Sequence, residues 1–189
     1  MIKYRFFKRN FFDIILLIEV SIGGECLLQI GDRVVYPMHG AGEITGIEEY
    51  DVMGQGQLKS YYVLQMPVGG MKIMFPADNI DKVGLREVSP TSMIGQIEDV
   101  LRGDPVKVVG SWNKRFHANL NRLKTGDVLE VAAVLRNLVL QDRIKKISSG
   151  ERRLLDTAKQ IFLTEMVYVL DGTMETTEAW LQKMLARDE

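Results

Sequence analysis

The sequence predicts an α+β chain of two domains, a small five-stranded β-barrel followed by a compact α-helical bundle. Three observations lead there. From residue 28 onward the chain runs in short segments rich in Val, Ile and Tyr, separated by Gly, Pro, Asn and Asp. At "REVSPTSM", residues 86–93, the apolar pattern changes from alternation to helical spacing. The length, 189 residues with 46% hydrophobic and 26% charged, suits one large or two small globular domains and leaves little room for disorder.

Residues 1–27 stand apart. "MIKYRFFKRNFFDIILLIEV" begins basic and apolar as a signal or anchor would, but Asp13 and Glu19 interrupt it. The unbroken apolar run, Ile14 to Ile18, is far short of the roughly 20 residues a spanning helix needs. Glu25 before Cys26 makes a poor lipoprotein site. Gly23-Gly24-Glu25 can be encoded GGA-GGT-GAA, a strong bacterial ribosome-binding sequence. The segment is therefore expected to be translated leader or a disordered extension, with the native start at Leu27 or Leu28. An interfacial helix is the competing reading.

The barrel domain is expected over 28–88. Its strands are read from "LQIGDRVVYP", "AGEITGIEEYDV", "KSYYVLQM", "MKIMFP" and "NIDKVGLREV". Gly69-Gly70 reads as a two-residue hairpin turn, since glycine tolerates the positive φ such turns require. It is not a phosphate loop, because no GxxxxGK[ST] is present. His39 in "HGAG" reads as an ordinary turn histidine, with no nucleophile motif nearby.

The helical domain is expected over 89–189, with about five helices. Val128, Val131, Ala132, Leu135, Leu138 and Val139 share one helical face, and Leu155, Ala158, Phe162, Met166 and Val169 share another. Gly126-Asp127 punctuates the turn before the first of these, and Ser148 with Glu151 forms a capping box before the second. A last helix, about 175 to 187, packs through Trp180, Leu181, Met184 and Leu185.

Chemistry-bearing motifs are few. One cysteine and two histidines offer no zinc constellation, and no nucleophile, metal or cofactor motif is present, so neither an enzyme nor a cofactor is expected. A lone cysteine fits a reducing compartment, the cytoplasm. Charge is more telling. Residues 111–153 carry ten Lys/Arg against four Asp/Glu between two acidic blocks, although the whole chain sums to −1. Such a block is either a polyanion-binding patch or a solvated helix face.

Trp112 poses the same choice in one residue. Helical spacing from it reaches Phe116, Leu120 and Leu123, which favours burial. Yet it lies at the first turn of a helix, among Lys114, Arg115, His117, Arg122 and Lys124. There a ring can overhang the bundle, and free backbone N–H groups favour anions. An apolar side chain in such a setting can act as a wedge in the DNA minor groove while cations collect phosphates. Core packing and wedge both remain open from spacing alone.

"IGDRVVYPMHGAGEITGIEE" at 30–49 resembles the opening of the CarD/CdnL family of bacterial RNA polymerase-binding regulators. "YYVLQM", "FPADN", "SWNKRFHANLNRLKTGD" and "SSGERRLLDTAKQIFLTEM" continue the likeness in family order to about residue 170. The barrel alone is shared with transcription-repair coupling factors; the Trp-containing helical part is not. The resemblance implies an SH3/Tudor-like barrel that docks on the RNA polymerase β subunit, through a surface including Tyr50, Val52, Lys72 and Met74. Tyr50 and Met74 fall where some relatives use arginine, so the contact would rest more on apolar burial. It further implies a helical domain lying on promoter DNA at the upstream edge of the bubble. Trp112 matches the wedge, and Lys114, Arg115 and Arg152, with neighbouring Arg153, match its basic surround. His117 stands where some relatives carry lysine, so a DNA contact there would depend on pH. A monomer with no membrane partner is expected. The alternatives are an interaction module that never touches DNA and a regulator anchored through residues 1–22.

Overall fold

Alternating apolar side chains build the first half. In the computed structural model, which describes residues 28–51, 57–105 and 110–186, the strands are β1 (Arg33–Tyr36), β2 (Gly40–Tyr50), β3 (Lys59–Gln65), β4 (Lys72–Pro76) and β5 (Arg86–Glu87). The expected leader lies outside the described residues. All pairings are antiparallel, in the order β4-β3-β2-β1-β5. Val34, Ile44, Tyr62, Leu64, Met66 and Phe75 form the core of this half.

The sheet curls. In a flat sheet β1 and β4 would lie about 14 Å apart, three strand spacings, yet the rings of Tyr36 and Phe75 are 5.8 Å apart. A bulge in β2 between Ile44 and Gly46 helps bend it, since an extra residue on one strand increases local twist.

Two expected elements differ. Residues 79–88 are not a full strand: a 3-10 turn (Ala77–Asn79) leads into α1 (Ile80–Val83), and only Arg86 and Glu87 pair with β1. Pro76 ends β4 in extended conformation just before the turn, and Ala77, Ile80 and Leu85 pack against the core of this half. The Gly69-Gly70 hairpin is also wider than two residues. The Met66 N–H donates to the Met71 carbonyl (2.9 Å), leaving residues 67–70 as the loop. Within it both glycines have positive φ, 66° and 65°. Pro67 has no N–H to continue the ladder.

The second half is α2 (Ile94–Arg102), α3 (Trp112–Lys124), α4 (Val128–Ile144), α5 (Ser149–Val169) and α6 (Met174–Leu185). Asp127 caps α4 by accepting from the Leu129 and Glu130 N–H groups, and the capping box of Ser148 and Glu151 starts α5. α4 is the central helix. Every residue from Val131 to Leu138 is buried, because α2, α3 and α5 surround it, so its apolar face is wider than the single stripe expected. The five residues expected to line α5 are all buried. Among the described residues no helix is long and apolar enough to cross a membrane.

α5 also joins the two halves. Gly40 has φ 103°, and a Cβ there would lie 2.2 Å from Thr164 Oγ1, so only glycine lets β2 approach this closely. Next to it the Ala41 N–H donates to Thr164 Oγ1 (3.0 Å). One turn of α5 also carries Glu165, whose carboxylate accepts from Arg86 at the end of the sheet and from the Ser89 hydroxyl. Arg33 of β1 lies over the Tyr168 ring, 5.0 Å from its centroid.

Candidate nucleic-acid interface

The helix starts decide where Trp112 sits. Gly110, at φ 137°, turns the chain, and Ser111 caps α3 by accepting from the Lys114 N–H, so Trp112 is the first helical residue. At the start of α5 the Ser148 N–H donates to Glu151 Oε2 (3.1 Å), and the Glu151 N–H returns a bond to Ser148 Oγ (3.3 Å). The two starts meet. Trp112 Nε1 donates to Ser148 Oγ (2.9 Å), and the indole stacks on Phe116, with centroids 5.3 Å apart and planes 23° from parallel. The ring remains 42% exposed. Helical spacing pointed to the core, but the first-turn position leaves this side chain overhanging the bundle, while Leu123, about three turns further, is fully buried.

The expected cations lie on the first turns of the same two helices. Lys114 and His117 are exposed on α3, and the His117 ring meets Phe116 edge-on, at 5.7 Å. Arg115 is half-buried; its guanidinium donates to the Gly110 carbonyl (2.8 Å) and stands 3.9 Å from Glu151. On α5, Arg152 binds both oxygens of Asp142 (2.7 and 2.9 Å). Arg153 beside it is exposed and has no ion-pair partner among the described residues. Lys145 and Lys146 are exposed in the link just before Ser148.

Electrostatics separate fixed charges from available ones. Burial alone would raise the Glu151 pKa, but hydrogen bonds from the Ser148 hydroxyl and N–H and from Gln141, with the charge of Arg115, outweigh it and hold the carboxyl below its ordinary value. The Asp142 carboxyl is also lowered, by the Ile147 N–H and then by Arg152. Lys114 and Arg115 lie in the first turn of a helix with no acidic residue there. Cations at that end oppose the helix dipole, at a cost of about 0.3–1 kcal/mol each when exposed, which an incoming anion would remove.

The residues expected on the polymerase side lie elsewhere. Tyr62, Leu64 and Phe75 point to the sheet core, so the alternate residues lie on its other face, where Val63 is buried and Met74 is exposed. By register, Met74 lies beside Val63, Lys72 beside Gln65, and Tyr50 beside Lys59. Tyr50, Lys72 and Met74 thus share the outer face, with Met74 41% exposed on an edge strand. Tyr50 packs edge-on against Tyr61 and donates to the Glu48 carboxylate, whose hydrogen bond and charge raise the phenol pKa. Val52 lies outside the described residues.

Phe116, which helical spacing already put on the Trp112 face, is joined in the setting of the indole by Ser148 and Gly150, which no sequence pattern marked for it. The capping box located Ser148 only as a cap. A glycine inside an otherwise sound helix start, as at Gly150, was the available sign of a close approach.

Comparison with known proteins puts both halves of the molecule in one class of transcription-associated factors. The sheet half matches the family model described as the CarD-like/TRCF RID domain over residues 28–89, and the helices match the CarD C-terminal domain over residues 96–182. The chain belongs to the CarD family. Among its relatives is the Bacillus subtilis (strain 168) protein named "Putative transcription factor YdeB", 32% identical over 149 residues that cover 79% of this chain and 95% of that protein.

Proposed function

We propose that the protein docks on the RNA polymerase β subunit through the outer sheet face of its 28–88 domain, and that its 89–189 domain stabilises the open promoter complex. It does so as a cytoplasmic monomer, without catalysis. Trp112 is the wedge, placed in the minor groove at the upstream edge of the bubble. Lys114, Arg115, His117, Arg152 and Arg153 hold the flanking phosphates. The observation that carries this reading is the half-exposed indole, set at a helix start inside a cationic rim rather than in the core. Such a rim collects phosphates without regard to sequence, and an apolar ring exploits a distorted base step.

The energetic requirement is modest. Binding the open complex more tightly than the closed one by about 1.4 kcal/mol raises the open-to-closed ratio tenfold. Slow bubble collapse favours a promoter whose bubble is unstable and hinders escape from one whose bubble is stable.

Trp112→Ala tests the reading with the cognate polymerase. The variant is expected to fold and bind polymerase as the parent does, and to shorten open-complex lifetime. An unchanged lifetime with the variant folded overturns the wedge.

A further inference from the structure

We propose that Ser148 and Gly150 are positioning residues that hold the Trp112 ring in one orientation before DNA arrives; the inference rests on the wedge reading above. The ring is fixed on three sides by different means. Its Nε1 donates to Ser148 Oγ at 2.9 Å. Ser148 Oγ in turn donates to Glu151 Oε2 at 2.8 Å, and Glu151 is buried, so the acceptor of the indole is itself oriented. One face of the ring lies on Phe116. On the remaining side is Gly150, where a Cβ would come within 2.9 Å of Trp112 Cζ2.

Each feature is more than the helix needs. A serine cap requires only that its oxygen accept from the helix N–H groups. Here the same oxygen also accepts from an indole 36 residues away. Alanine favours a helix over glycine, so a glycine at the third position after Ile147 weakens α5 unless something needs the space. The indole occupies that space. A half-exposed aromatic ring otherwise samples several rotamers, and ordering it on binding costs free energy that a fixed ring does not.

The seat can be read in the free protein, then in the open complex. The chain has two tryptophans, and Trp180→Phe leaves Trp112 as the only indole emitter. In that background Ser148→Ala and Gly150→Ala should each increase acrylamide quenching of Trp112 and lower its fluorescence anisotropy. Ser148→Thr, which keeps the hydroxyl, should restore both. With polymerase and promoter, Ser148→Ala and Gly150→Ala should shorten open-complex lifetime by roughly two- to tenfold, the range one lost hydrogen bond represents. Neither should shorten it further when Trp112 is already alanine. Thermal unfolding separates this from loss of fold, because Gly150→Ala should leave the melting temperature unchanged or raised. Unchanged quenching and anisotropy in both variants would overturn the positioning role. So would a freed ring with unchanged lifetime, provided that Trp112→Ala shortens it. If Trp112→Ala itself has no effect on lifetime, the wedge reading fails and the positioning role fails with it.

Discussion

Arg86 and Glu165, 79 residues apart, meet in a two-pronged ion pair across the boundary between sheet and bundle, with both N···O distances 2.7 Å. The Glu165 side chain is 1% exposed. Arg86 Nε also donates to the Gly126 carbonyl (2.7 Å), so one guanidinium ties the end of the sheet to α5 and to the turn before α4. Removing Arg86 leaves the Glu165 charge buried without a counter-charge, held only by the Ser89 hydroxyl and N–H. Arg86→Ala is therefore expected to cost about 3–5 kcal/mol of stability. Glu165→Gln, which keeps an acceptor for Arg86, should cost less. Denaturant unfolding of the full chain checks both, and a neutral Arg86→Ala would show that this ion pair adds nothing net to what holds the halves together.

Met74 lies 41% exposed on the edge strand, on the same outer face as Tyr50 and Lys72. Met74→Glu should leave the fold intact, because the side chain already meets water. If that face docks on polymerase, burying the new carboxylate should weaken binding by about tenfold or more, roughly 1.4 kcal/mol. Titration of the full-length variant against the β subunit gives the answer; equal affinity would place the contact elsewhere.

Arg153 and Arg152 are neighbours in unlike states. Arg153 has no ion-pair partner among the described residues, whereas Arg152 is held by Asp142. Arg153→Ala should lower the slope of log K against log salt by about one counterion if it contacts a phosphate. Arg152→Ala should change the slope less, since the arginine must first share its guanidinium with Asp142. Equal changes would mean that the Arg152–Asp142 pair opens freely on DNA.

Glu151 gives a pH dependence of known sign. Its folded pKa is lowered, so its contribution to stability is fully present above the unfolded glutamate value and is lost as pH falls through the folded one. Glu151→Gln should therefore narrow the stability gap between neutral and acidic pH. Melting curves of parent and variant from neutral pH down through the carboxylate range check this, and parallel curves would contradict it.

Much of the molecule was legible in the sequence, for stated physical reasons. The helical half showed its period, and Asp127, Ser148 and Glu151 announced helix starts because caps are local chemistry. The helical turn within 79–88 was hidden because Ile80, Val83, Leu85 and Val88, spaced by three, two and three residues, are too few to show a helical or a strand period. The all-round burial of α4 was hidden because polar Arg136 and Asn137 interrupt its apolar face. They are nonetheless buried and bonded, with Arg136 Nη1 donating to the Val100 carbonyl (2.7 Å). At the candidate site, Trp112 and its cationic neighbours stood together in sequence. The Arg86–Glu165 pair and the Ser148 anchor for the indole could not be seen, since each joins residues far apart along the chain and neither has a local signature.

α5 carries the Trp112 anchor at its first turn and the sheet contacts Thr164 and Glu165 near its other end. From Ser149 to Glu165 a continuous helix rises about 24 Å, at about 1.5 Å per residue. The helix is thus a gauge bar whose two ends are fixed in azimuth as well as distance. Removing one residue from its middle would shorten the bar by only about 1.5 Å but would twist one end by about 100° relative to the other. Removing seven, about two whole turns, would nearly restore the angle while drawing the ends together by about 10 Å. Helical phase, more than length, therefore sets how the outer sheet face and the indole are aimed relative to each other.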